Sequence, residues 1–226
     1  MPSPKDIIIK RIQSKYANDF VKENHYSGKV VANSQLHFGA FLSNRLHGVM
    51  SFGPSLDKSK LIGLVRGTEW NQFVELNRMA FDEKLPKNSE SRSISIAIKL
   101  IKKFCPHIKW IVSFADGMQC GDGTIYRASN FKLTGISSGS MWRLPPDLQK
   151  KFGLQVAHRM LLHDKKSIIS KYIISVFNGK NPSISSCVEK LGGEVMQGFM
   201  FRYIYFMQKE YEKLLTVPII PFEKIA

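Results

Sequence analysis

Apolar residues recur every fourth position near the start of the chain, at Ile8, Ile12, Tyr16 and Phe20, and this spacing predicts a helix over residues 5–24. "NHYSGKVV" then reads as a turn and the start of a strand. "LHFGAFLSNRLHGVMSFG" reads as two strands around a polar turn at Ser43, Asn44 and Arg45. "FVELNRMAF", residues 73–81, is a further strand, and "DEKLPKNSES" is a loop. The clearest helix covers 89–104. Ile94, Ala97, Ile98, Ile101 and Cys105 share one face, and Lys99, Lys102 and Lys103 fall outside it. Asn88 or Ser89 supplies the N-cap, and Pro106 ends the helix.

"IKWIVSFAD" shows no alternation, so it predicts a strand covered on both faces. "GTIYRASNF" predicts a short helix and "KLTGI" another strand. Strand and helix alternate through 73–136, which argues for an α/β fold with some parallel pairing. Pro145 and Pro146 mark the largest change in composition. The basic segment after them, about 143–178, is expected to be a partly helical insertion before a last strand at "FMFRYIYFM". There is no internal repeat or low-complexity linker, so a single domain over 1–226 is expected.

Charge narrows the function. Lys and Arg number 33 against 18 Asp and Glu, a net +15. An excess this large in a domain that is 43% hydrophobic points to a polyanionic partner, with nucleic acid first. The three cysteines, Cys105, Cys120 and Cys187, form no CxxC pair, which excludes a zinc ribbon and fits a reducing cytoplasm. No apolar run is long enough to span a membrane, and the first residues lack a signal-peptide core.

The densest chemistry lies in "IVSFADGMQCGDGTIYRASNF", 111–131. A strand ending in Asp116 places a carboxylate at a sheet's C-terminal edge, where open α/β sheets bind ligands. Glycines then let the backbone turn sharply, and Tyr126 follows on the next helix. Asp116 reads as a general base, a metal ligand or a turn former, and Asp122 as a turn former or cap. "LPKNSESR", 85–92, enters a helix N-terminus, so Lys87, Ser89, Ser91 and Arg92 suit a phosphate or carboxylate, or an ordinary cap. His25-Tyr26 gains meaning if it meets Asp116 in space, because imidazole, carboxylate and phenolate together suit iron. Arg78 reads as an inward charge that needs a partner. His158 and His163 are five apart, off the spacing of a helical metal site.

"FVELNRMAFDEKLPKNSESRSISIAIKLIKKFCPHIKWIVSFADGMQCGDGTIYRASNFKLTG", with "NHYSGKV" before it, resembles the Mom family of phage DNA-modification proteins. The resemblance implies a GNAT-like acyltransferase fold, a splayed mixed sheet flanked by helices. It implies conversion of adenine in duplex DNA to N6-carbamoylmethyl-adenine in the host cytoplasm, which blocks restriction enzymes. It implies iron, with His25, Tyr26, Asp116 and Tyr126 as ligands, and functional roles for Arg78 and Ser91 beside Asp116 and Tyr126. Ordinary GNAT enzymes receive coenzyme A on a glycine-rich loop, whereas this chain has "KNSESR" there. The donor therefore lies between acetyl-coenzyme A and a glycyl group such as glycyl-tRNA, which would make tRNA a second partner. A glycyl unit is an isomer of the product's CH2-CO-NH2 group, and an acetyl unit lacks the nitrogen. Lys150, Lys151, Arg159, Lys165 and Lys166 are the expected nucleic-acid contacts, or a solvated basic face. A homodimer is compatible with all of this. The competing readings are a GNAT-type N-acetyltransferase acting on a small amine or protein, and a DNA-binding module without catalysis.

Overall fold

The structure is a computed structural model that describes residues 3–119, 121–164 and 166–225. Its strands are β1 (Ile8–Arg11), β2 (Leu36–Leu42), β3 (Arg45–Gly53), β4 (Phe73–Phe81), β5 (Trp110–Asp116), β6 (Lys132–Arg143), β7 (Val156–His158) and β8 (Glu194–Phe206). The helices are α1 (Ser14–Asn24), α2 (Lys58–Leu61), α3 (Ser89–Phe104), α4 (Thr124–Ala128), α5 (Pro146–Phe152), α6 (Arg159–His163), α7 (Ile168–Val176), α8 (Ile184–Leu191) and α9 (Lys209–Glu212). The hydrogen-bonded strand order is β1-β2-β3-β4-β5-β8-β6-β7. Pairing is antiparallel from β1 to β4 and between β6 and β7, and parallel between β4 and β5. The expected α/β architecture with a mixed sheet flanked by helices is therefore present.

The chain packs as two compact units, one of residues 1–135 and 201–226 and the other of residues 136–200. In the first, α3 lays Ile94, Ala97, Ile98 and Ile101 on one sheet face against Phe38, Met50, Phe52, Leu76 and Ile111. Full burial of each large apolar side chain contributes about 2 kcal/mol relative to exposure. On the opposite face α1 covers Val49 and Ala80 with Ala17 and Val21. Further along that face Leu61, Leu64 and Val65 pack on Phe73, Trp110 and Val112. The second unit closes its own core around Trp142, Leu148, Leu162, Ile173 and Cys187. The Trp142 indole N–H there donates to the Gly192 carbonyl at 2.9 Å.

The helix expected over 5–24 is corrected. Ile8–Arg11 is a strand paired with β2, from Ile8↔Phe41 to Arg11↔Phe38. Three consecutive isoleucines are stiff at χ1 and favour extended backbone. The spacing of four was no buried stripe, since Ile8 is 52% and Tyr16 58% exposed. No strand follows His25 until Leu36. The expected helical insertion is interrupted by β7, and α8 follows it. The hairpin between β2 and β3 turns on Ser43 and Asn44, both left-handed (φ 49 and 62), the two-residue geometry that matches strand twist. No helix among the described residues is long and apolar enough to cross a membrane.

The loop after β5 is fixed by packing. Tyr203, fully buried on β8, stacks on Tyr126 at 5.2 Å and donates its hydroxyl to the Asp122 carbonyl. Burial, then the Asp122 charge, pushes that phenol up to about 12, so it remains a donor. Gly121 and Gly123 both have positive φ, +70 and +82. A Cβ at Gly121 meets nothing within 4 Å, whereas one at Gly123 would stand 2.5 Å from the Tyr203 ring. Gly121→Ala should cost about 1–2 kcal/mol, the left-handed penalty alone. Gly123→Ala should cost about 2–5 kcal/mol, because overpacking adds to the same penalty. Urea denaturation of the two variants checks this, and equal losses would show that Tyr203 does not clamp the loop.

Candidate functional site

The site is organised by β4. Its register against β3 runs Met50↔Met79 and Ser51↔Arg78, then Phe52↔Leu76, so Asn77 is an extra residue on β4. In a regular strand Glu75 and Arg78, three apart, would face opposite sides. The bulge turns both to the face covered by α1. The Asn77 carboxamide is tied down from both ends: its Oδ1 accepts from the Ser34 hydroxyl at 3.0 Å, and its Nδ2 donates to the Pro54 carbonyl at 3.4 Å.

Arg78 then reaches the turn that follows α1. Its Nε donates to the Lys29 carbonyl and its Nη1 to the Asn77 carbonyl, both at 2.8 Å. The turn carries His25 and Tyr26, whose rings stack at 4.3 Å, with Tyr26 56% exposed. The His25 Nδ1 accepts from the Ser27 backbone N–H at 3.1 Å and lies 2.8 Å from the Ser27 hydroxyl. Burial first, and the Arg78 charge second, lower His25 from 6.5 to about 4. The ring is therefore neutral at neutral pH. Because Nδ1 is occupied as an acceptor, the proton sits on Nε2, which is a donor.

Glu75 completes this cluster, and sequence reasoning did not find it. Burial raises its carboxyl, while hydrogen bonds from Ser55 and Asn77 and the Arg78 charge oppose the rise. Burial lowers Arg78, while Tyr26 and Glu75 oppose the fall. His25, Tyr26 and Glu75 each interact electrostatically with Arg78. The missing signal was the bulge, which no residue pattern in "FVELNRMAF" announces.

Asp116 ends β5 and is buried. Val112 pairs with Glu75, so strand alternation places Asp116 on the Glu75 face. Its Oδ1 accepts from the Met118 N–H at 3.0 Å, so it also shapes the turn. Asp122 is a turn former: its Oδ1 accepts from the Thr124 N–H at 3.0 Å and the Thr124 hydroxyl at 2.7 Å. Tyr126 is 8% exposed in the core beneath α3, edge-on to Phe131 and stacked on Tyr203.

The other expected residues gather on the α3 side. Lys87, Ser89 and Ser91 line a cavity of about 440 Å³ with Phe81, Asp82, Glu83, Glu90, Thr124 and Ile125. Ser89 spends its hydroxyl on the Pro86 carbonyl, and Ser91 donates to the Asn88 carbonyl at 3.3 Å. Arg92 lies outside this lining, and its Nε is buried without a hydrogen-bond partner among the described residues. Three carboxylates face one lysine here, and burial raises that of Glu90. In the second unit Lys150, Arg159 and Lys166 are exposed, and Lys151 sits 3.8 Å over the Tyr172 ring. Lys165 lies outside the described residues.

The residues expected to hold iron do not fit a metal as arranged. His25 offers a donor at Nε2 and has already committed Nδ1, whereas a ligating imidazole needs a free lone pair. Among the described residues, no three His, Cys, Asp or Glu side chains stand together as a cation site.

The sequence is similar to that of a methylcarbamoylase, mom, of Escherichia phage Mu, at 37% identity over 141 residues. That stretch is 62% of this chain and spans only 58% of the relative, less than two thirds of its length. Among solved structures, the IAA acetyltransferase of Bacillus cereus is 12% identical, with a TM-score of 0.48, over 88% of this chain and 99% of that one. A GNAT family acetyltransferase of Elizabethkingia anophelis with acetyl-CoA bound is 14% identical, with a TM-score of 0.42, over 89% and 98%. Likenesses this loose carry no argument, and the mixed sheet stands on its own strand order. The family model described as the Mom protein family matches residues 6–224, nearly the whole sequence, and the chain belongs to that family.

Proposed function

We propose that this protein converts adenine in duplex DNA to N6-carbamoylmethyl-adenine. The observation that carries the reading is the family match over residues 6–224, supported by the methylcarbamoylase relative. The cluster on the α1 face suits the chemistry. Adenine N6 is stacked and paired in a duplex, so the base must leave the helix, at a cost of a few kcal/mol. The exposed Tyr26 ring, backed by His25, offers it a stacking surface. Glu75 accepts the N6 proton as nitrogen bonds to the carbonyl carbon of a glycyl ester, Arg78 holds the developing oxyanion, and collapse breaks the ester C–O bond and returns the proton from Glu75 to the leaving alcohol, while His25 Nε2–H donates to a ring nitrogen. Asp116, on the Glu75 face, walls the reacting end, and Ser91 and Tyr126 stand on the α3 side of the sheet, where Ser91 lines the cavity proposed for the donor. Lys150, Lys151, Arg159 and Lys166 supply phosphate contacts. Iron remains an expectation of the resemblance. Binding at His25 would require the ring to turn over or release its Nε2 proton.

The donor cavity favours a glycyl ester over acetyl-coenzyme A. Asp82 and Glu83 oppose a pyrophosphate, and each position of "KNSESR" carries a side chain where close approach to backbone amides needs glycine. A glycyl unit also brings the product's nitrogen: the acyl step gives N6–CO–CH2–NH2, an isomer of the product, which is reached when the N6–CO and CH2–NH2 bonds give way to N6–CH2 and CO–NH2 bonds with no atom gained or lost.

Mass spectrometry of nucleosides from cells expressing the protein should show deoxyadenosine gaining one C2H3NO unit. Glu75→Gln should lower its yield by about 100-fold or more, the usual contribution of a positioned base. A gain of C2H2O on protein or small amines, with unmodified DNA, would establish the N-acetyltransferase reading instead.

With 15N-glycine in the medium, the amide nitrogen of the modified nucleoside should carry the label, and purified protein should bind acetyl-coenzyme A weakly. An unlabelled amide together with modification driven by acetyl-coenzyme A in a purified system would refute the glycyl donor.

A further inference from the structure

A second cavity, of about 710 Å³, lies at the far end of α3 from the donor cavity, between the helix and the sheet face it covers. Its size falls within the range of pockets that enclose small molecules, roughly 300–1,000 Å³. Ile9, Leu36, Phe38, Phe52, Val74 and Leu100 form apolar walls, and Phe104, 68% exposed, stands at the mouth. The charged lining has one sign: Lys10 and Arg11 contribute, and no Asp or Glu lines the cavity.

Arg11 is the informative residue. Its register partner is Phe38, and Phe38 pairs in turn with Met50, both of them core residues beneath α3. By alternation Arg11 therefore belongs to the core-facing side of an edge strand, where Ile9, two residues earlier, packs on the core. The Arg11 guanidinium makes no hydrogen bond or ion pair among the described residues. Arg11 is exposed at this edge, so its guanidinium is solvated and open to an incoming anion beside the apolar walls. No residue lining the cavity provides a carboxylate.

We infer that this cavity is a binding site for a soluble amphiphilic anion, an aliphatic or aromatic carboxylic acid whose tail fills the apolar walls and whose carboxylate pairs with Arg11. The guanidinium is suited to the task, because its planar fork matches a carboxylate in two parallel hydrogen bonds. Lys10 extends the positive rim. The site is built from β1, β2, β3, β4 and α3 and uses none of the residues assigned to adenine modification, so it stands or falls independently of that function.

Dodecanoate is the probe, titrated into the full-length protein by calorimetry, with 1-dodecanol as the uncharged control. Saturable one-to-one binding of dodecanoate is expected, at least tenfold tighter than dodecanol. Arg11→Glu, at an exposed edge-strand position, should weaken dodecanoate at least tenfold while leaving dodecanol unchanged. Leu100→Trp should fill the cavity and remove both, with thermal unfolding confirming that it folds. Absence of saturable dodecanoate binding overturns the proposal, as does equal affinity in wild type and Arg11→Glu. Binding to phosphatidylglycerol vesicles without binding of the free acid also overturns it and assigns the rim to a membrane surface.

Discussion

The bond from Arg78 to the Lys29 carbonyl holds the site together, and it exists because β4 carries one residue too many. Side chains alternate along a strand with a period of two, and nothing but an insertion lets residues three apart share a face. With Asn77 inserted, Arg78 points to the turn after α1 and Glu75 points with it. The insertion is itself held: Asn77 bonds Ser34 and Pro54, and Gly53 lies so close that a Cβ there would come within 2.8 Å of the Asn77 Oδ1. Removing any of these would loosen the bond by which Arg78 ties the turn after α1 to the sheet.

The cluster's electrostatics follow from that geometry. Four groups that can carry charge share a partly buried space, and their burial costs oppose one another. Arg78 favours ionised Glu75 and disfavours a protonated His25. The Arg78 charge opposes the burial that raises Glu75 and adds to the burial that lowers His25, which keeps the imidazole neutral. The cavity on the α3 side of the sheet sets Asp82, Glu83 and Glu90 against the single lysine Lys87.

Much of this was legible in the chain. α3, β4 and β5 matched their expected bounds closely because each has a strong period or a strong stop: a buried isoleucine stripe, a Pro after the helix, an apolar run ending in Asp116. Their parallel pairing followed from the alternation of strand and helix. β1 was not legible, because four-residue spacing in a short apolar segment fits a helix as well as it fits coincidence. Glu75 was not legible, because a bulge is a tertiary compromise among Asn77, Ser34, Pro54 and Gly53, residues up to 43 positions apart. Arg78, His25 and Tyr26 were expected by resemblance, and the structure brings them together. It sets Ser91 and Tyr126 among the residues beneath and beside α3. The tautomer that argues against His25 as a ligand depends on one backbone N–H, that of Ser27, which no motif encodes.

The most direct test of this account is the ionisation of His25 in solution. Two-dimensional 15N–1H spectra of the ring, followed from pH 3 to pH 8, report both the midpoint and the tautomer. The account predicts a midpoint near 4, an unprotonated Nδ1 and a protonated Nε2 at neutral pH, and a partial rise of the midpoint in Arg78→Gln. A midpoint near 6.5 that is indifferent to Arg78, or a proton on Nδ1, would contradict it and dissolve the link between the β4 bulge and the turn that carries His25 and Tyr26.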